Sequence, residues 1–257
     1  VVGAGPAGLA AATTAAKRGH LVTLFDQSHE IGGQFNMAKQ VPGKEEFYET
    51  IRYFSKQIEL NGVRIKLNTR VEAQDLIDGN YHEVVLATGV SARDLTFPGA
   101  DHEKVLSYID VLRHKKPVGK KVAVIGAGGI GFDISEYRVH NEGEAPSLDL
   151  ALWQKEWGID KTMKQPGGLA KKGKQPTAPA RQIYLCQRKE TKVGAGLGKT
   201  SGWVHRTTLL DKNVEMIGSG AFGFVFAGDD EHGLPWVFKF SRITLAQSVR
   251  DRLEDEA

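Results

Sequence analysis

The chain has 257 residues, 40% hydrophobic and 25% charged, with a formal net charge of +3. That composition is that of a globular protein with room for two domains of ordinary size, and the small charge excess gives no case for a nucleic-acid partner. No apolar run reaches the roughly 20 residues that a membrane span needs. Cys186 is the single cysteine, which excludes an internal disulfide and an all-cysteine metal or iron–sulfur site, and no metal centre is expected. A reducing, cytoplasmic setting fits this cysteine usage.

The chain opens on "VVGAGPAG", two strand residues ahead of a glycine loop, where a strand normally runs about five residues. The expected reading is a piece cut in mid-strand. "AGLAAATTAAKRG" (7–19) predicts an Ala-rich helix closed by Gly19, and "LVTLF" (21–25) a second strand ending at Asp26. Strand, G-x-G-x-x-G, helix, strand and acid form a dinucleotide grammar. Gly3 makes the tight turn, Gly5 lets a pyrophosphate approach, and Gly8 with Ala12 lets helix and sheet close up. The helix start offers unpaired N–H groups to phosphate from Ala7 onward, with Pro6 opening the turn. Asp26 stands where a carboxylate accepts from a ribose diol.

"EIGGQFN" follows, with Gly33 permitting close backbone approach and Gln34 and Asn36 as polar groups beside it. The helix from Lys44 carries Phe47, Ile51, Phe54 and Ile58 at helical spacing, a core stripe. "VRIKLNTRV" (63–71) alternates as a strand, and Val84-Val85-Leu86 is expected to be a buried strand running into Ala87-Thr88-Gly89. GAGPAG, an acid after the second strand, GGQ and a strand ending ATG together resemble the FAD domain of two-dinucleotide-domain flavoprotein reductases. "DQSHEIGGQFNMAKQVPGKEEFYETIRYF" is similar to the C-terminal half of bacterial NADPH-dependent 2,4-dienoyl-CoA reductases. That resemblance implies FAD contacts at Ala7, Asp26, Gln34, Lys44 and Val71. With the glycine loop and the ATG turn, the expected set in this unit is Gly3, Gly5, Pro6, Ala7, Gly8, Asp26, Gly33, Gln34, Lys44, Val71, Thr88 and Gly89.

"KKVAVIGAGGIGFDISEY" repeats the grammar about 120 residues on, with Gly126, Gly128 and Gly131 in the loop and Ser135 where a smaller residue usually packs. Residues 141–181, rich in Gly, Pro and Lys, are expected to be a solvated insertion loop. The strand resumes as "QIYLC" (182–186) and runs into Gln187, Arg188 and Lys189. An acid at this strand end would repel a ribose 2′-phosphate. Arg188 and Lys189 supply cationic donors instead, so the expected nucleotide is NADPH. Gly198-Lys199-Thr200 looks like the end of a Walker A loop, but Val193 stands where its first glycine belongs, and no strand-to-helix pattern is expected around it. His205 reads as an ordinary polar residue.

"IGSGAFGFVF" (217–226) carries a third glycine loop with β-forming residues on both sides, the layout of a hairpin laid over ATP phosphates. Gly218, Gly220, Gly223, Val225, then Lys239 in "WVFKF" and Glu254 resemble the start of a protein-kinase N-lobe. No H-R-D or D-F-G sequence accompanies them, so phosphate transfer is not expected. The competing reading is a β-hairpin belonging to the reductase.

The expected fold is therefore α/β: two Rossmann-like, doubly wound dinucleotide-binding units, 1–117 for FAD and 118–212 for NADPH, then a short β-rich segment, 213–257. The expected chemistry is hydride transfer from NADPH to FAD, which needs alignment more than a side-chain acid or base, so no catalytic residue is named. In the resembled family, a fatty-acid-metabolism enzyme, electrons continue through an iron–sulfur cluster to FMN in a barrel domain that this sequence lacks. The alternative is a truncated or joined chain ending in a kinase-like module. The expected partners are small-molecule dinucleotides, with no nucleic acid and no membrane.

Overall fold

The structure, a computed structural model, describes residues 1–218 together with strands 225–229 and 235–239. It divides into two compact units, Val1–Lys116 and Pro117–Ala257.

Unit one contains, in order, α1 (Pro6–Lys17), β1 (Thr23–Phe25), α2 (Phe35–Ala38), α3 (Glu46–Leu60), β2 (Arg64–Lys66), α4 (Ala73–Asp78) and α5 (Tyr108–Leu112). Pro6 opens α1, where its missing N–H costs nothing, and Gly19 follows its end at φ +94°. β1 pairs in parallel with β2, Thr23 opposite Arg64. On the other side of β1, Val2 bridges in parallel to both Phe25 and Leu86. The lateral order is thus β2, β1, Val2, Leu86. The chain winds outward from Val2 to β2, then returns to the opposite side of Val2. Such a reversal opens a crevice at the carboxyl ends of the strands, where glycine loops can receive a ligand.

The core of unit one gathers Ala4, Leu9, Ala12, Leu24, Ile58 and Val63. The stripe on α3 faces inward: Ile58 is buried and Phe47, Ile51 and Phe54 are half-buried, while Tyr48 and Tyr53 on other faces are exposed. Phe47 stacks on Phe35 at 4.3 Å, tying the start of α3 to the start of α2. The expected burial of Val84-Val85-Leu86 is corrected, since Leu86 is 73% exposed and its two neighbours are exposed as well. Among the described residues this segment pairs only on its Val2 side, so it lies at a sheet edge. The strand in 63–71 likewise shrinks to Arg64–Lys66, all three exposed.

Unit two contains β3 (Lys121–Ile125), α6 (Gly129–Val139), α7 (Leu150–Trp157), β4 (Gln182–Gln187), α8 (Gly202–Asp211), β5 (Glu215–Gly218), β6 (Val225–Asp229) and β7 (Pro235–Lys239). β3, β4 and β5 form one parallel sheet in that order, with Ile125 opposite Cys186 and Gln187 opposite Gly218. Phe132, Val139, Ile183, Leu185, Val193, Leu209 and Val214 make its core. Ser135 is fully buried on α6, and its hydroxyl donates to Gly131 O at 2.8 Å, so the larger residue is accommodated by back-bonding one turn earlier.

The insertion 141–181 differs from a solvated loop. Asp149 caps α7 by accepting from Ala151 and Leu152 N–H, both at 3.0 Å, and Gly158 ends it at φ +66°. Lys212, its side chain 2% exposed, then ties the insertion to the end of α8. Its Nζ donates to Glu156 Oε1 at 2.8 Å and to the Thr177 hydroxyl, and that hydroxyl lies 2.7 Å from Glu144 Oε1.

β5 departs from the kinase-type expectation, whereas an antiparallel hairpin of β6 and β7 has the form that the competing reading expects. A hairpin laid over phosphates needs the strands flanking its glycines to pair antiparallel with each other. Here Glu215–Gly218 serves as the third parallel strand, beside β4, and β6 pairs antiparallel with β7, Val225 opposite Lys239. Gly220, Gly223 and Glu254 lie outside the described residues.

Candidate functional site

In unit one three loops meet at the carboxyl ends of the strands. Gly3 holds φ +105°, and a Cβ there would overlap the carbonyl oxygen of Ala87, so strand and loop meet with no room for a side chain. A Cβ on Gly8 would overlap Gly3 O, whereas Gly5, the N-cap of α1, has no atom within 4 Å of that position. The loop is therefore closed toward the sheet and open toward the crevice. No side chain caps α1, leaving its first N–H groups for a ligand. Ala7, in the first turn, is exposed.

Gly33, at φ +52°, sits against this loop, since a Cβ there would stand 2.9 Å from Gly5 Cα. Gln34 reaches the third loop, donating from Nε2 to Val90 O at 3.4 Å, beside exposed Thr88 and Gly89. Asn36 is not available to a ligand: it is buried, its amide donates to Ile31 O at 2.8 Å, and its Oδ1 accepts from Lys39 at 2.8 Å. Lys44 stands half-buried just before α3, where its carbonyl accepts from Phe47 N–H at 3.1 Å.

Asp26 fixes the turn around itself. Its Oδ2 accepts from Ala4 N–H at 2.6 Å and its Oδ1 from Ser28 N–H at 2.7 Å. A carboxylate has about four lone-pair sites, so acceptor capacity remains. The segment leading to Val71 runs alongside, with Thr69 N–H donating to Asp26 O at 2.8 Å and Asn68 N–H to Ser28 O at 2.9 Å.

Unit two repeats the turn. Gly126 has φ +112°, Gly128 is the N-cap of α6 with open space at its Cβ position, and a Cβ on Gly131 would overlap Gly126 O. No side chain caps α6. The strand registers match too: Gly3 N–H donates to Phe25 O at 2.8 Å, and Gly126 N–H to Cys186 O at 2.9 Å. Asp26 and Gln187 are therefore equivalent positions, each the first residue beyond that carbonyl. Arg188 and Lys189 follow Gln187, both exposed. Cys186 is buried, and burial pushes its thiol up to about 11, which keeps it protonated and unreactive at neutral pH.

Two features escaped the sequence. His205 has a carboxylate partner, its Nδ1 lying 3.0 Å from Glu136 Oε2, with Glu136 buried on α6. The expectation that no strand-to-helix context surrounds Gly198-Lys199-Thr200 is corrected, because β4 precedes that loop and α8 begins at Gly202. Val193, at the missing glycine position, is a core residue, so the loop is anchored by packing. No helix among the described residues is long and apolar enough to cross a membrane, and no group of three or more His, Cys, Asp or Glu among them could hold a metal ion.

Parallel strands wound with helices, with glycine turns at their carboxyl ends, place the chain in the mixed α/β class. Residues 1–144, more than half of it, match the pyridine nucleotide-disulphide oxidoreductase family, and the chain belongs to that family. A cinnamate reductase from Clostridium sporogenes is 36% identical over 168 residues, covering 63% of this chain and 22% of that protein. An NADH oxidase from Thermoanaerobacter brockii is 35% identical over 154 residues, 58% of this chain and 24% of that one. The chain thus spans about a quarter or less of these relatives' lengths. Among solved structures, a complex of 2-naphthoyl-CoA reductase with 2-naphthoyl-CoA superposes with TM-score 0.67 at 23% identity, covering 93% of this chain and 31% of that one. Histamine dehydrogenase from Rhizobium sp. 4-9 gives 0.59 at 17% identity, over 99% of this chain and 37% of that one. These likenesses are of fold. Membership implies FAD and NAD(P)H as cofactors, and the backbone cradle around Gly5 fits the pyrophosphate of such a dinucleotide.

Proposed function

We propose that unit one holds FAD and unit two NADPH, and that the chain is the reductase portion of a flavoenzyme akin to the 2,4-dienoyl-CoA reductases. The observation that carries this reading is the pair of glycine turns alike in backbone angle and hydrogen bonding, with different chemistry at the equivalent strand end, Asp26 in one and Gln187-Arg188-Lys189 in the other. The N–H groups of α1 and the bare backbone at Gly5 hold the FAD pyrophosphate, while Asp26 accepts from the adenosine ribose. Gly33, Gln34, Lys44, Val71, Thr88 and Gly89 complete that cradle. Gly126, Gly128, Gly131 and α6 do the same for NADPH, and Arg188 and Lys189 donate to its 2′-phosphate. When bound, the two cofactors supply the hydride donor and acceptor, and the protein's share is alignment and exclusion of water.

The names of the relatives differ in acceptor: cinnamate, metal and bilirubin reductases share sequence with this chain. That variety is expected if the acceptor is chosen outside this portion, and a conjugated acyl thioester is the acceptor that the dienoyl-CoA reductase resemblance favours. The test is the visible spectrum of the purified protein reconstituted with FAD, before and after anaerobic NADPH. A flavin band that bleaches faster with NADPH than with NADH is the expected result. Arg188→Ala should weaken NADPH binding by roughly tenfold or more, the worth of a charge-assisted hydrogen bond, and leave NADH unchanged. Failure to take up FAD, or an unaltered preference in Arg188→Ala, would overturn the proposal.

A further inference from the structure

We infer that Gln187 is a positioning residue for nucleotide specificity: its side-chain amide holds the turn that presents Arg188 and Lys189. The inference rests on the reading of unit two as an NADPH site. It comes from comparing two equivalent positions. Asp26 turns its carboxylate back on its own glycine loop, accepting from Ala4 N–H. Gln187 turns forward along the chain. Its Nε2 donates to Thr191 O at 2.6 Å and to Lys189 O at 3.2 Å, with Thr191 Oγ1 at 3.4 Å.

Two consequences follow from chemistry. Exchanging the acid for a neutral amide at the strand end removes the charge that would repel a 2′-phosphate, and the amide's two hydrogens are spent on main-chain carbonyls. One carbonyl belongs to Lys189 itself and the other to Thr191 two residues on, so the Gln187 side chain closes a loop of main chain around residues 188–191 and restricts where the two cations can go. The backbone of Gln187 is fixed independently, opposite Gly218 in the parallel sheet. The side chain is therefore free to act on the turn without carrying the strand. Preorganising long cationic side chains on a pinned turn lowers the ordering cost of binding a dianion.

The experiment measures binding of 2′,5′-ADP and of 5′-AMP to the full chain by calorimetry, since the two probes differ in the 2′-phosphate. Gln187→Met keeps the side-chain length and removes both donors. It should weaken 2′,5′-ADP about fivefold, the worth of one net hydrogen bond, and leave 5′-AMP unchanged. In an Arg188→Ala background the same substitution should cost less than about twofold, because a residue acting through Arg188 has little left to position. Gln187→Leu, likewise neutral and without donors, should give the same ordering of the probes if Gln187→Met folds poorly. Equal weakening of both probes, no weakening of either, or a full effect in the Arg188→Ala background overturns the inference. If Arg188→Ala and Lys189→Ala leave the ratio of the probes unaltered, the NADPH reading itself fails and the inference falls with it.

Discussion

Replacing Lys212 by methionine tests how the insertion is held. The substitution keeps the apolar stem and deletes the ammonium from a site where the side chain is 2% exposed. Glu156, 11% exposed, then loses the cation at 2.8 Å and must share with Glu144 the single hydroxyl hydrogen of Thr177. Breaking a buried pair by removing one partner costs about 3–5 kcal/mol. Glu156 retains the Thr177 N–H at 3.1 Å, so the lower end, about 3 kcal/mol, is expected. Urea titration followed by tryptophan fluorescence reads the loss, because Trp153 and Trp157 lie on α7 within the insertion.

The same variant has a pH signature. Burial pulls the Glu156 carboxyl upward, but hydrogen bonds from Lys212 and Thr177 outweigh it and hold the group below its ordinary value of 4.5. A depressed folded value stabilises above the unfolded pKa, and that stabilisation is lost as pH falls through the folded value. In Lys212→Met the upward pull meets less opposition, so protonation relieves the stranded carboxylate. The stability gap between variant and wild type should therefore narrow as pH falls from 7 through the carboxylate range. A loss below about 1 kcal/mol at pH 7, or a gap that does not change with pH, would refute the reasoning.

Three further outcomes follow from the loops. Gly131→Ala drives a methyl into Gly126 O and should destabilise unit two by about 1–3 kcal/mol, whereas Gly128→Ala meets no atom within 4 Å and should melt like wild type while binding nucleotide more weakly; the opposite order in melting and binding would reject this account of the turn. Asp26→Ala strands the Ala4 and Ser28 N–H groups, and roughly 2 kcal/mol of stability should go together with retention of added FAD; undiminished melting would show the clamp to be idle. Cys186, buried and pushed up to about 11, should resist a thiol reagent at pH 8 until the protein is unfolded, and rapid labelling of the native chain would contradict its seating in the core.

Both glycine turns are legible in the sequence because what dictates them is local. A positive φ, an uncapped helix start and a glycine under a carbonyl all lie within six residues of one another, and the α3 stripe repeats at the helical period. The Lys212 lock and the Glu136–His205 pair are not legible, since their partners lie 35 to 69 residues apart and only the folded sheet brings them together. Exposure of Val84-Val85-Leu86 was hidden for a related reason: a short apolar run signals a strand but not what covers it.

The equivalence of Asp26 and Gln187 belongs to an intermediate case. Each residue is visible in the sequence as the end of a strand, yet their correspondence depends on register, fixed by the hydrogen bonds from Gly3 to Phe25 and from Gly126 to Cys186. Once aligned, one position carries a charge folded back on its own loop and the other a neutral amide folded forward on a basic turn. On the proposed reading, two copies of one backbone solution differ in electrostatic preference through the charge of the strand-end residues, Asp26 in one and Gln187-Arg188-Lys189 in the other. That is economical physically, because the glycine geometry sets where a pyrophosphate can lie while the strand-end residue and its turn set which ribose is tolerated. On the proposed reading, discrimination between dinucleotides rests on the strand-end residue and its turn, and not on the glycine loop.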